Sequence, residues 1–195
     1  MKLEPRAVSE GSLLLEFPEA SDAEANRAAI AIGSRLSGKR PRGFLDAVPG
    51  ARTLFVLFDP RTAERDALIR RVRRIAEEPA DASPDSRLLR IPVAYGAENG
   101  PDLETLARDR GLDPDEVVRR HAAAEYRVAF LGFSPGFAYL TGLPQELAAP
   151  RRDSPRARVP AGSVAIGGDY TAVYPAETPG GWRLIGRSPV RLFDP

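Results

Sequence analysis

His121 is the one histidine in a chain that contains no cysteine. Histidine has the ordinary pKa closest to neutrality, so His121 is the natural general acid/base here. Any Ser–His–Asp arrangement must use it, unless a partner chain supplies the base. The absence of cysteine excludes disulfides, thiolate zinc sites, iron–sulfur clusters and cysteine nucleophiles. A single histidine excludes a histidine-rich metal site. His121 falls near the end of a predicted helix, where the helix dipole favours the imidazolium form. A packed or capping histidine is the plain alternative.

A second concentration of chemistry is "PRRDSPRARVPAGS" (150–163), which carries Arg151, Arg152, Arg156 and Arg158 ahead of Ser163. Arginine's planar fork suits carboxylates and phosphates, and the prolines hold the segment in fixed directions. An anion or partner-chain role is expected over a merely solvated loop. Just upstream, "GFSPGFAYLTGLP" (132–144) has no charged side chain but is rich in glycine, proline and aromatics. It reads as a loop that shapes a pocket or partner surface, with Phe133, Phe137 and Tyr139 as apolar wall. "TPGGWRLIGRSP" (178–189) reads as a tight turn at Pro179-Gly180-Gly181 entering a strand, with Trp182 in the core. "GGDY" (167–170) fits a hairpin turn, because neither GxxxxGK[ST] nor GxGxxG occurs. Asp102 in "GPDL" reads as a helix cap, with a site acid as the alternative.

Two groups of elements must position these residues. In the first, "SLLLEF" (12–17) alternates as a strand, and Ser21 with Glu24 forms a capping box ahead of a stripe of Ala25, Ala28, Ile32 and Leu36. "GFLDAVPG" and "RTLFVLFD" are two strands joined at Pro49-Gly50. "DPRTAERDALIRRVRRIAEE" is a helix with Leu68, Val72 and Ile75 on one face and its arginines solvated. The order β-α-β-β-α is most of a ferredoxin-like α+β unit. It is expected over residues 1–80, with a linker at 81–87 in the proline-broken "EPADASPDSR".

In the second group, "LLRIPVAY" is a strand and "GPDLETLARDRG" a helix with Leu103 and Leu106 inward. Asp113, Pro114 and Glu116 start another helix. "YRVAFLGF" is a strand, and "SVAIGG", "YTAVYP", "GWRLIG" and "VRLFDP" are further short ones. The pattern predicts a mostly β barrel or sandwich over 88–195.

The 195 residues, 43% hydrophobic and 28% charged, suit a soluble chain of one large or two small domains. A formal net charge of +1 gives no electrostatic case for nucleic acid or an anionic membrane. No apolar run approaches the roughly 20 residues that span a bilayer. "MKLEPRAVSE" has no signal-peptide character, so a cytoplasmic location is expected.

"YRVAFLGFSPGFAYLTGLP", "PRRDSPRARVPAGSVAIGG", "YTAVYP" and "TPGGWRLIGRSPVRLFDP", together with "IPVAYG" and "EVVRRH", resemble the family of the 5-oxoprolinase B subunit. That family includes the sporulation-kinase inhibitor KipI and the allophanate-hydrolase subunit 1 domain of urea carboxylases. The resemblance spans the second domain nearly throughout and is weaker in the first. It implies a cyclophilin-like β-barrel after the small α+β domain. It also implies a C-type partner subunit (allophanate hydrolase subunit 2 type) and an A subunit. Together these convert 5-oxo-L-proline to L-glutamate with ATP, and its Mg, as co-substrate.

The other branches of the family imply an inhibitor that binds a sensor histidine kinase, or half of a biotin-dependent carboxyltransferase. The chain has no "MKM"-type motif, so no biotin is attached to it. Carried over, the expected catalytic residues are His121, Arg151 and Arg156. Tyr126, Phe133, Phe137, Ser163 and Thr171 are the expected pocket, and no metal ligand is expected. The chain departs from the family pattern twice. Tyr170 replaces an expected glutamine, and the chain ends at Pro195 where relatives continue into another strand. The second is read as a truncation, or as a barrel edge left for a partner to cover.

Overall fold

The computed structural model describes residues 2–78 and 87–194, which fall in two compact units, Met1–Arg87 and Leu88–Pro195. Of the predicted linker 81–87, only Arg87 lies within the described residues.

In the first unit, β1 (Glu4–Ser9) and β2 (Ser12–Glu16) form an antiparallel hairpin. Along β2, Leu13 and Leu15 are buried while Leu14 and Glu16 are less so, the period-2 alternation of a half-buried strand. The helix α1 (Asp22–Lys39) follows. The Ser21 side chain takes the Glu24 backbone N–H, and the Glu24 carboxylate takes the Ser21 N–H and hydroxyl. Its buried face is Ala25, Ala29, Ile32, Gly33 and Leu36, with Ala28 at the margin.

β3 (Phe44–Pro49) and β4 (Thr53–Phe58) close a second hairpin, and α2 (Arg65–Glu77) buries Leu68, Val72 and Ile75. This helix starts later than its sequence suggests. The Asp59 carbonyl takes the N–H groups of Thr62 and Ala63, and its carboxylate takes those of Arg61, which makes a turn of residues 59–63. The sheet order is β1-β2-β4-β3, antiparallel throughout. β1 is an addition to the predicted β-α-β-β-α order; its mostly exposed residues carry no apolar alternation.

The second unit is mostly sheet. Its elements are β5 (Ala94–Tyr95), α3 (Leu103–Arg110), α4 (Pro114–Ala123), β6 (Arg127–Leu131), β7 (Ala138–Thr141), β8 (Arg156–Val159), β9 (Ser163–Gly167), β10 (Tyr170–Val173), β11 (Thr178–Gly180) and β12 (Arg183–Arg187). The main sheet runs β5-β12-β9-β10-β7-β6, and β8 pairs with β11 beside it. Among the described residues no ladder joins β5 to β6, so no closed barrel forms by strand pairing.

Four local expectations are corrected. "LLRIPVAY" contributes only Ala94–Tyr95, because Pro92 has no N–H and Leu88 and Leu89 are exposed. The aromatic "loop" 132–144 contains strand β7. Thr178–Gly180, read as part of a turn, is strand β11. "VRLFDP" forms no strand over its described residues. The GGDY hairpin is present: Gly167 pairs with Tyr170 across Gly168 and Asp169, with Gly168 at φ 64°.

Two apolar clusters flank the main sheet, as side-chain alternation requires. One holds Leu103, Leu106 and Val117 of the helices with Val164, Ile166, Val173 and Ile185. The other holds Phe137, Val159, Ala165, Ala172, Tyr174, Trp182 and Leu184. Among the described residues, no helix is long and apolar enough to cross a membrane.

Candidate functional site

The expected site residues separate into two groups. The first centres on His121, in the last turn of α4 and buried at 5% exposure. Its Nε2 lies 3.0 Å from the Thr171 hydroxyl, and its Nδ1 lies 2.8 Å from the Tyr95 hydroxyl. The Thr171 hydroxyl donates to the Ala165 carbonyl at 2.9 Å. Its oxygen therefore accepts from His121, which puts the ring proton on Nε2. Nδ1 is then the bare nitrogen and accepts from Tyr95. The Tyr126 hydroxyl donates to the His121 carbonyl at 2.8 Å. Burial lowers the His121 pKa to about 4. The imidazolium expected from the helix end is thus corrected to a neutral ring, because desolvation outweighs the dipole. Burial also raises Tyr95 and Tyr126, the latter further through the Tyr95 hydroxyl.

Asp102 organises the second group. It precedes α3 and its backbone pairs with Leu184, donating N–H to the Leu184 carbonyl at 2.9 Å. Its side chain makes no cap, which corrects that expectation. Instead the carboxylate, buried at 4% exposure, accepts four hydrogen bonds. Arg156 grips it with two, each at 2.9 Å. Arg152 adds one at 2.9 Å and the Leu184 N–H one at 2.7 Å. Burial alone acts to raise its pKa. The hydrogen bonds from Arg156 and Leu184 and the charges of Arg156 and Arg152 outweigh that, and the net shift is downward. In the sequence Asp102 stands out only as a cap or an unplaced acid. Its pairing with arginines about 50 residues away is a matter of topology, which no local pattern carries.

Around this clamp lies the aromatic cluster. The Arg151 guanidinium carbon sits 5.9 Å from the Trp182 ring centroid, a cation–π placement. Phe137, 1% exposed, packs edge-on against Trp182, Tyr174 and Tyr139 at 5.1–5.5 Å. Phe133 is 61% exposed and caps the cluster at 5.3 Å from Phe137 and 6.4 Å from Tyr174. Its φ of 64° is costly for an aromatic residue and is held by the turn bonds Ser134 N–H to Gly132 carbonyl and Phe137 N–H to Ser134 carbonyl. The side-chain oxygens of Ser134 and Thr178 are buried without a hydrogen-bond partner among the described residues. Burial raises the Tyr174 hydroxyl pKa, opposed by the Trp182 backbone and by the nearby charges of Arg151 and Arg156.

The structure thus brings together Arg151, Arg156, Phe133 and Phe137. Separately it brings together His121, Tyr126 and Thr171. In register, Thr171 sits beside Ile166 of the helix-side cluster, while Ala165 and Ala172 belong to the aromatic one. His121 donates to Thr171 and accepts from Tyr95, while Arg156 donates to Asp102, so among the described residues no hydrogen bond joins His121 to Arg151 or Arg156. Ser163 is buried on β9, where its carbonyl accepts the Tyr174 N–H. Arg158 pairs with Glu177 at the surface. Among the described residues, no group of three or more His, Cys, Asp or Glu side chains is suited to hold a metal ion.

The chain is of mixed α/β class with mostly sheet, and comparison with known proteins places it among carboxyltransferase-type domains. The chain belongs to the family described as carboxyltransferase domain, subdomains C and D, whose model matches residues 3–195. It is 49% identical over 152 residues to the 5-oxoprolinase B subunit of Escherichia coli O157:H7, covering 77% of this chain and 69% of that one. It is 38% identical over 199 residues to the 5-oxoprolinase B subunit of Bacillus subtilis (strain 168), covering 96% and 83%. Among solved structures, TTHA0988 superposes with a TM-score of 0.82 at 39% identity over 94% of this chain. The chain spans about a third (36%) of the length of TTHA0988.

Proposed function

We propose that this chain is the B subunit of an ATP-dependent 5-oxoprolinase. It opens 5-oxo-L-proline to L-glutamate together with a C-type subunit and an A subunit. The observation that carries this reading is the 49% identity to a 5-oxoprolinase B subunit over 152 residues. The arginine–aromatic face supports it chemically. 5-Oxoproline has a carboxylate beside a five-membered lactam ring. Arg151 and the outward donors of Arg152 and Arg156 suit the carboxylate. Phe133, mostly exposed, suits the ring's methylene face.

ATP is the co-substrate in this reading. Its Mg enters with the nucleotide and is assigned to no residue of this chain. Neutral His121 acts here as the ring that locks α4 onto β10 and β5, not as the proton carrier. The finer architecture belongs to the same reading. The order β1-β2-β4-β3 fits a ferredoxin-like sheet in which an N-terminal strand takes the outer place. The second unit is a cyclophilin-like barrel whose wall is not fully paired. The expected setting is cytoplasmic.

The test is reconstitution. The chain is co-purified with its companion C-type and A-type subunits, and ATP hydrolysis is measured with and without 5-oxo-L-proline. Substrate-dependent turnover is expected. A well-folded complex with none, or a chain that instead slows autophosphorylation of a sensor histidine kinase, overturns the proposal.

A further inference from the structure

Arg152 and Arg156 share a single carboxylate, and Arg151 next to them has no ion pair among the described residues. This corner therefore keeps surplus positive charge. The carboxylate that sets its geometry is itself fixed, since Asp102 is pinned by its own N–H to the Leu184 carbonyl and by the Leu184 N–H to Oδ2. All the acceptor capacity of Asp102 is used: Oδ1 takes Arg152 and Arg156, and Oδ2 takes Arg156 and Leu184.

Arg156 turns its two terminal nitrogens inward, leaving Nε–H and its outer protons free of Asp102. Arg152 spends Nη1 on Asp102 and Nε on the Ser154 carbonyl, leaving Nη2. Both arginine side chains are partly exposed, at 34% and 23%, whereas the Asp102 side chain is at 6%. Asp102 cannot meet a ligand directly, but it decides where two guanidinium groups point.

We infer that Asp102 is a positioning residue that aims Arg152 and Arg156, beside Tyr174 and Trp182, at the carboxylate of the substrate. The inference rests on the proposed 5-oxoprolinase reading for the identity of the substrate. Its geometry, a buried anion holding a two-arginine receptor for a small carboxylate, stands independently of that reading. Asparagine at position 102 is isosteric, but it replaces one acceptor oxygen with an NH₂ that faces arginine donors. Asp102→Asn therefore releases the arginines without changing the size of the side chain.

Trp182 is the chain's one tryptophan and lies under Arg151, so its emission reports occupancy of this corner. The chain is titrated with 5-oxo-L-proline, and with acetate as a plain carboxylate, while Trp182 fluorescence is followed. Saturable binding of 5-oxo-L-proline is expected in the wild type, with binding at least about ten-fold weaker in Asp102→Asn, the loss of roughly one charged hydrogen bond. Arg156→Gln keeps Asp102 intact and serves if the first variant folds poorly. The double variant Asp102→Asn/Arg156→Gln should lose less than the sum of the two single losses, since Asp102 acts through Arg156 as well as Arg152. In the reconstituted complex the same change should raise KM for 5-oxoproline with kcat within about three-fold, as loss of uniform binding requires.

Equal affinity of Asp102→Asn and wild type, additive losses in the double variant, or no carboxylate-dependent Trp182 signal in the wild type overturns the inference. A wild-type complex that binds 5-oxoproline but does not turn it over overturns the proposed function only. The Trp182 titration still decides the role of Asp102.

Discussion

At the scale of single residues, the two polar clusters differ in what they leave unspent. His121 has both nitrogens engaged and is surrounded by hydroxyls whose own protons are assigned. Removing the Thr171 hydroxyl strands a buried ring N–H, which costs about 1–3 kcal/mol. Thr171→Val should lower the Tm of the chain accordingly, with no change in KM for the reconstituted enzyme. A large KM effect without a Tm effect would place Thr171 at the substrate instead. Arg151 is the opposite case, exposed, and among the described residues its guanidinium meets only a ring face. A charged hydrogen bond to a carboxylate contributes about 1.5–3 kcal/mol, roughly a 10–100-fold effect on affinity. Arg151→Ala should raise KM for 5-oxoproline by that factor and leave Tm within about 1 °C, as for an ordinary surface change. Unchanged KM would remove Arg151 from the substrate site.

At the scale of elements, the β6–β7 hairpin carries the contrast between Phe133 and Phe137. Phe137 points into the aromatic core, so Phe137→Ala opens a cavity and should cost about 3–5 kcal/mol in denaturant unfolding. Phe133 stands mostly in solvent, so Phe133→Ala should stay within about 0.5 kcal/mol of wild type. It should nevertheless weaken ligand or partner binding. A stability loss equal to that of Phe137→Ala would make Phe133 ordinary core. Both residues are legible in the sequence as apolar wall, and so are the helices, through their 3.6-residue stripes and, for α1, its capping box. What the sequence hides is long-range. β1, β7 and β11 exist because a partner strand is there to pair with, not because their own residues alternate clearly. The separation of His121 from the arginines follows from their partners, Thr171 of β10 for the one and Asp102 ahead of α3 for the others, which no local pattern pairs. Asp102 is visible but unassignable for the same reason: its partners lie some 50 and 80 residues away.

At the scale of the whole molecule, a single histidine makes the pH response simple to read. In the unfolded chain His121 has its ordinary pKa of 6.5, and in the folded chain the value is about 4. Between these values the unfolded chain binds a proton that the folded chain refuses. Stability from this source is therefore complete above pH 6.5 and is lost as pH falls from 6.5 toward 4, amounting to about 3 kcal/mol. Asp102 acts in a separate, lower window. Its folded pKa lies below the ordinary 3.8, so its clamp contributes above that value and is lost as acid protonates it further down. Wild-type chain unfolded at stepped pH, followed through Trp182 of the second unit, should show a decline beginning near pH 6.5, well before the carboxylates titrate. His121→Gln should be less stable than wild type at pH 7 and nearly flat between about pH 6.5 and 5, since no imidazole is left to titrate. The same slope in both proteins would mean that the buried ring is not the group that couples protonation to unfolding. The neutral Nε2–H tautomer that joins α4 to β10 would then have to be reassigned.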